Sequence, residues 1–198
     1  MTTSRGMLAL GLLLSGALTQ GACVELKVSR DALERTLKQQ LFNGPKGRYY
    51  LKGNPQSACA IYAESPQLRF AGDRIVVEMK THSSLGSAVA GTCIGITLSL
   101  PAEVSLAPDG EGETIGFRDA RVERVSDQPE LNFVLMPFLR NQVPKGMKVN
   151  AADLLRKALE GSTATSGYKV SLEHLKVHSV EIQGDALIMD VDANLSVQ

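Results

Sequence analysis

Apolar positions recur every four residues at Leu33, Leu37 and Leu41, with Ala32 and Thr36 beside them and Arg30, Glu34, Arg35 and Lys38 on the opposite side. Ser29 stands where a helix cap is needed, and Val28 can staple onto Leu33. The spacing therefore predicts an amphipathic N-terminal helix, broken by Asn43-Gly44-Pro45-Lys46-Gly47. From about Ala58 the period falls to two, which predicts a run of antiparallel strands. Ala60, Tyr62, Leu68 and Phe70 share one face. After the turn Ala71-Gly72-Asp73 come Ile75, Val77 and Met79, alternating with Val76, Glu78 and Lys80. Ile94, Ile96, Leu98, Leu100, Val104 and Leu106 keep parity over an unusually long stretch, and Asp109 to Glu113 turns the chain into Ile115-Gly116-Phe117, Val122 and Val125. Strands so long twist and coil, so the sheet is expected to curve around something apolar. Pro66 and Pro101 mark bends or edges.

Asp127-Gln128-Pro129-Glu130 has capping-box spacing, and a second helix is expected with Leu131, Val134, Leu135, Phe138 and Leu139 inward until Pro137 kinks or ends it. A third helix opens at Asn150, with Val149 stapled to Leu154 and Leu155, Ala158 and Leu159 inward, and is expected to stop at Gly161 before a polar linker over residues 162–167. The C-terminus reads as a hairpin: Lys176 to Ile182, a Gly184-Asp185 turn, then alternating Leu187, Met189, Val191, Ala193, Leu195 and Val197.

The first residues read differently. Arg5, the apolar run Met7 to Leu14 and the small pair Gly21-Ala22 have the layout of a secretory signal, so residues 1–22 are expected to be removed and residues 23–198 to form one domain. Export changes the reading of the three cysteines, since thiols in an oxidising compartment pair or are modified. Gly21-Ala22-Cys23 resembles a lipobox, although Gln20 stands where such motifs carry an aliphatic residue. Two outcomes stay open: lipidation of Cys23, or ordinary cleavage near Ala22 that leaves the thiol free.

Composition narrows the partners. Lys+Arg and Asp+Glu both number 21, so there is no basic field for nucleic acid. Aromatic residues are 5% with no Trp, which removes the usual stacking platforms for sugars and bases, whereas 43% apolar content supports a folded core. Any ligand is expected to meet aliphatic surface.

The helix SRDALERTLKQQLF, the segment SPQLRFAGDRIVVEMK and the closing VHSVEIQGDALIMDV hairpin, behind a cleaved N-terminus ending near Cys23, resemble the YceB-like family of bacterial envelope lipoproteins. That family is similar to the tubular lipid-binding (TULIP) proteins. The resemblance implies an α+β fold: a strongly curved antiparallel β-sheet wrapping a long N-terminal amphipathic helix, with further helices before a C-terminal β-hairpin. It also implies an apolar cavity that takes acyl chains.

Catalytic signatures are missing: the chain has no H-E-x-x-H, C-x-x-C, G-x-S-x-G, Walker or Rossmann sequence. Ser166-Gly167-Tyr168-Lys169 matches S-x-x-K without the partner motifs, and Gly110, Gly112 and Gly116 read as a hairpin turn. His174 and His178 lack a completing ligand set, so no metal and no cofactor is expected. Glu64, Asp73, Glu78 and Asp119 read as turn and strand-edge charges.

The expectation is therefore a non-enzymatic envelope protein, exported to the periplasm and anchored to the outer membrane if Cys23 is acylated. It would hold a lipid or another hydrophobic small molecule between Leu33, Leu37 and Leu41 of the helix and Ile75, Val77, Met79, Ile96 and Leu98 of the sheet. The alternative is a structural or interaction module with a closed core and no ligand. Cys59 and Cys93 are expected to form a disulfide. An intervening strand would hold their Cα atoms about 9.6 Å apart, beyond the roughly 7 Å reach of a bridge, so that strand must end or bulge by Thr81-His82-Ser83.

Overall fold

The computed structural model describes residues 22–125, 127, 129–166 and 169–197, so the proposed signal segment lies almost wholly outside the described residues. Val24, Leu26 and Val28 alternate with Glu25 and Lys27 in β1 (Ala22–Ser29), which runs directly into α1 (Arg30–Gln40). The N–H of Ala32 donates to Ser29 Oγ at 3.3 Å, so Ser29 caps the helix as its side chain predicts. Leu33 and Leu37 are fully buried, and the helix ends at Leu41, just before the Asn43-Gly44-Pro45 break.

Five strands follow: β2 (Arg48–Lys52), β3 (Ile61–Ala71), β4 (Arg74–Val89), β5 (Thr92–Glu111) and β6 (Thr114–Arg124). Next come α2 (Pro129–Pro137), a π-helical turn (Phe138–Gln142), α3 (Val143–Gly146), β7 (Val149–Asn150) and α4 (Ala151–Ser166). The chain closes with β8 (Val170–Gln183) and β9 (Ala186–Val197). The larger sheet has the order β2-β3-β4-β5-β6-β7 and curls into a half-barrel; the smaller has the order β1-β9-β8. Every pairing is antiparallel.

Register explains the core. Ile75 lies opposite Leu106, Val77 opposite Val104 and Met79 opposite Ala102, so one parity of β4 and β5 faces the inside of the curl. There it meets Leu33, Leu37 and Leu41 of α1, Phe138, Leu139 and Met147 from the segment after α2, and Leu187, Met189 and Val191 of the smaller sheet. Each large side chain sealed in this way contributes about 1.5–3 kcal/mol. A second, smaller cluster joins Leu131 and Leu135 of α2 to Ile61.

The expectation of a long N-terminal helix wrapped by the sheet is corrected. α1 has 11 residues, the longest helix has 16, and the chain is mostly β, with 60% strand and 23% helix. The reason is that the smaller sheet and several short helices together close the inside of the curl, so no single helix has to run its length. Three strands stand where none was expected: β1, β2 and the short β7. In addition, α4 runs through Gly161 to Ser166, so residues 162–166 are helix rather than linker. One Gly costs a helix only about 1 kcal/mol and does not end it. Asn150 does cap α4, its Oδ1 accepting from the N–H of Asp153 at 2.9 Å.

Candidate functional site

The eight residues expected to line a groove separate into two groups. Leu33, Leu37, Ile75 and Val77 are fully buried, Met79 and Leu41 nearly so, and all six belong to one sealed core. Ile96 is 60% exposed and Leu98 is half-buried, and they lie beyond that core on the same inner parity of the sheet.

What surrounds Ile96 is a projecting ribbon. β3 begins opposite Ser83, and β6 pairs with β5 only from Glu103 onward. Among the described residues, Leu85 to Val89 pair only with Thr92 to Ile96, and from Thr92 to Ala102 β5 has β4 as its one strand neighbour. From Ser83 to Ala102 there is no charged side chain. By contrast, on the flanking sheet Arg69 bonds Glu78 and Glu103, each at 2.6 Å. Leu85, Ile94, Ile96, Leu98 and Leu100 share the inner parity of the ribbon. α2 covers part of that face, since Leu85, Leu98 and Leu100 pack beside Leu131 and Leu135. Past the reach of α2, Ile94 is 61% and Val89 51% exposed. Ile94 and Val89 were not among the expected site residues. The signal that could have found them is the uncharged run itself.

Two features hold the ribbon in shape. Gly86 and Gly95 face each other, and a Cβ on either would lie 2.1 Å or less from the opposite strand's carbonyl oxygen, so the strands approach as only glycine permits. The expected disulfide is present: Cys59 and Cys93 are bonded, with Cα atoms 5.0 Å apart. The route differs from the expected one, because β4 runs unbroken to Val89. It is β3 that stops, at Ile61, so residues 53–60 can cross beside the ribbon and reach Cys93 near its tip. The Ser84 N–H, donating to the Ala60 carbonyl at 2.9 Å, marks where this crossing starts.

Elsewhere the polar groups pair locally. On the outer face, Arg48 lies 4.2 Å over the Tyr62 ring and bonds Glu64 at 2.8 Å, while His82 stacks on Tyr62. Burial raises the Tyr62 phenol above its ordinary range, against the pull of Arg48. Arg74 ties Ser105 to Asp119, and the bonds from Arg121 and then Arg74 hold the Asp119 carboxyl below its usual range. His178 meets Asp192 at 2.5 Å, and His174 sits at another register position, opposite Asn194. Among the described residues no group of three or more His, Cys, Asp and Glu stands together as a metal site. Asp73 lines a shallow gap of about 390 Å³ between the two sheets, and a hollow of about 430 Å³ beside Leu159 and Leu172 opens to solvent between α4 and β8. The S-x-x-K match runs through Gly167 and Tyr168, which lie outside the described residues. Cys23 lies in β1 opposite Asp192.

No helix of the described residues is long and apolar enough to cross a membrane. No family model matches the chain, and no curated protein matches it.

Proposed function

We propose that the protein is a non-enzymatic interaction module that docks another molecule on the inner face of the β4–β5 ribbon. One observation carries this reading: an uncharged two-stranded ribbon presents Val89, Ile94 and Ile96 more than half exposed and is stapled in place by a disulfide. Apolar surface of that kind, beyond the body of the fold, is what interaction sites use. Removing it from water desolvates no charge, so burial there carries little electrostatic cost. The sealed core supports the same reading, since Leu33, Leu37, Ile75 and Val77 already spend their apolar surface on one another.

A photo-crosslinking residue at Ile96, in cells making the full chain, tests it. An adduct at this position and none at exposed Lys157 on α4 is the expected result. Absence of any adduct at Ile96 sinks the proposal.

A second reading keeps the hydrophobic ligand but moves it. Ile96 and Leu98, with Leu85 and Ile94, form an open apolar strip on a curved sheet, where an acyl chain would gain about 0.8 kcal/mol per buried methylene. Displacement of a fluorescent fatty acid, lost in Ile96→Lys but kept in Leu37→Val, would favour it over a protein partner. For location, the reading remains export with Cys23 as the candidate anchor. Because β1 already includes Cys23, acylation there would leave no spacer and seat the body directly on the membrane surface. Wild type should then partition into detergent, and Cys23→Ala should release it.

A further inference from the structure

We infer that the partner of the ribbon is a second copy of this chain, added edge to edge along β5; this rests on the proposed reading of the ribbon as the docking site. The first ground is the open edge. Between Thr92 and Ala102, β5 has β4 on one side and, among the described residues, no strand on the other, and such a row of backbone donors and acceptors is a template for another strand. Protective devices are scarce along it: no charge stands between Ser83 and Ala102, and the single proline, Pro101, closes one end of the free stretch.

Register supplies the second ground. Ile94, Ile96, Leu98 and Leu100 have one parity, so antiparallel self-pairing about a two-fold axis at Thr97 sets Ile94 opposite Leu100 and Ile96 opposite Leu98. Both of these pairs are aliphatic on aliphatic, and Thr92 opposite Ala102 closes the stretch at either end. A two-fold perpendicular to the sheet keeps both inner faces on the same side, so each copy's exposed isoleucines come to lie next to the strand that the other copy's α2 covers. The interface is thus isologous and closes at two copies. Charge is the third ground: a patch that meets its own copy is repelled if it carries net charge, and this one carries none.

Sedimentation of the purified, disulfide-bonded protein across a wide concentration range reads the assembly. Wild type is expected as a dimer. Ile96→Lys should weaken self-association by roughly thirtyfold or more, the scale of a lost interface hot spot, while the Cys59–Cys93 bond and the far-ultraviolet spectrum stay intact. Thr97→Cys supplies an independent readout. At the two-fold centre its Cα atoms would be about 4.5–5.5 Å apart, within disulfide reach, so a covalent dimer should form under mild oxidation. Ser87→Cys, one strand back on β4, should not crosslink, because the two positions would lie about three strand spacings (14 Å) across and six residues (about 20 Å) along from each other, roughly 24 Å apart. A monomeric wild type, or equal crosslinking at positions 87 and 97, overturns the inference. If wild type is monomeric and the Ile96 photo-adduct has a mass other than twice that of the chain, self-pairing falls and the interaction reading stands. No adduct at all removes both.

Discussion

Glu34 shows how one side chain joins two elements. It sits on the exposed side of α1 in the helical pattern, yet its carboxylate accepts the Leu68 N–H at 3.0 Å and the Lys38 ammonium at 2.6 Å. β2 pairs with β3 only from Ile61 to Glu64, so Leu68 lies where the β3 edge has no strand beside it and the helix supplies the acceptor. Burial alone would raise this carboxyl, but the bonds from Lys38 and the Leu68 amide outweigh it and hold the group below its ordinary range. A depressed carboxyl stabilises the fold fully above its unfolded pKa of about 4.3, and that contribution is lost as pH falls through the lower folded value. Urea unfolding of wild type and Glu34→Gln should therefore differ at neutral pH and converge in acid. A difference independent of pH would show that the carboxylate charge is not what matters.

The β4–β5 hairpin is the element on which function rests, and its shape depends on two local devices. Gly95→Ala would push a methyl to 2.0 Å from the Leu85 carbonyl oxygen, a backbone contact that cannot rotate away. Overpacking of this kind costs about 1–3 kcal/mol. The strain falls two residues from Cys93, so a larger share of free thiol at Cys59 and Cys93 is also expected by mass mapping. Unchanged stability and full oxidation would refute the close approach. For the staple itself, Cys59 and Cys93 are 34 residues apart, and in the chain-entropy model a loop of that length contributes about 3–4 kcal/mol. Cys93→Ser should lower unfolding stability by that order, and reductant should do the same to wild type but nothing further to the variant.

At the scale of the whole molecule, the two sheets share a single core: Val177, Leu187 and Met189 of the smaller pack with Ile75, Leu106 and Ile115 of the larger. Neither inner face is covered without the other, so the sheets should unfold together. Three of the four tyrosines, Tyr49, Tyr50 and Tyr62, lie on β2 and β3, so tyrosine fluorescence is weighted toward the larger sheet, whereas far-ultraviolet dichroism reports both sheets. Their denaturant transitions should coincide in the oxidised protein. A separate earlier transition in either signal would mean that the smaller sheet is only loosely held.

Local chemistry was enough for much of this. Ser29 and Asn150 announce helix starts because a capping oxygen needs only its own next turn. The Gly72-Asp73 and Gly184-Asp185 turns, and the parity of Ile75, Val77 and Met79, are likewise set within a few residues. The alternation of Val24, Leu26 and Val28 that builds β1 is equally local, a short stretch set directly against the stronger helical stripe that follows. What periodicity could not separate was a groove from a closed core, because both require the same inward aliphatic parity. That was decided by long-range packing, when the smaller sheet and the 138–147 segment filled the space against Leu33, Leu37 and Val77 and left Ile96 outside. The disulfide follows the same division: residue type, with the expectation of export, predicted the pair. Its path depended on where β3 stops relative to β4, a register between distant segments that no local window contains.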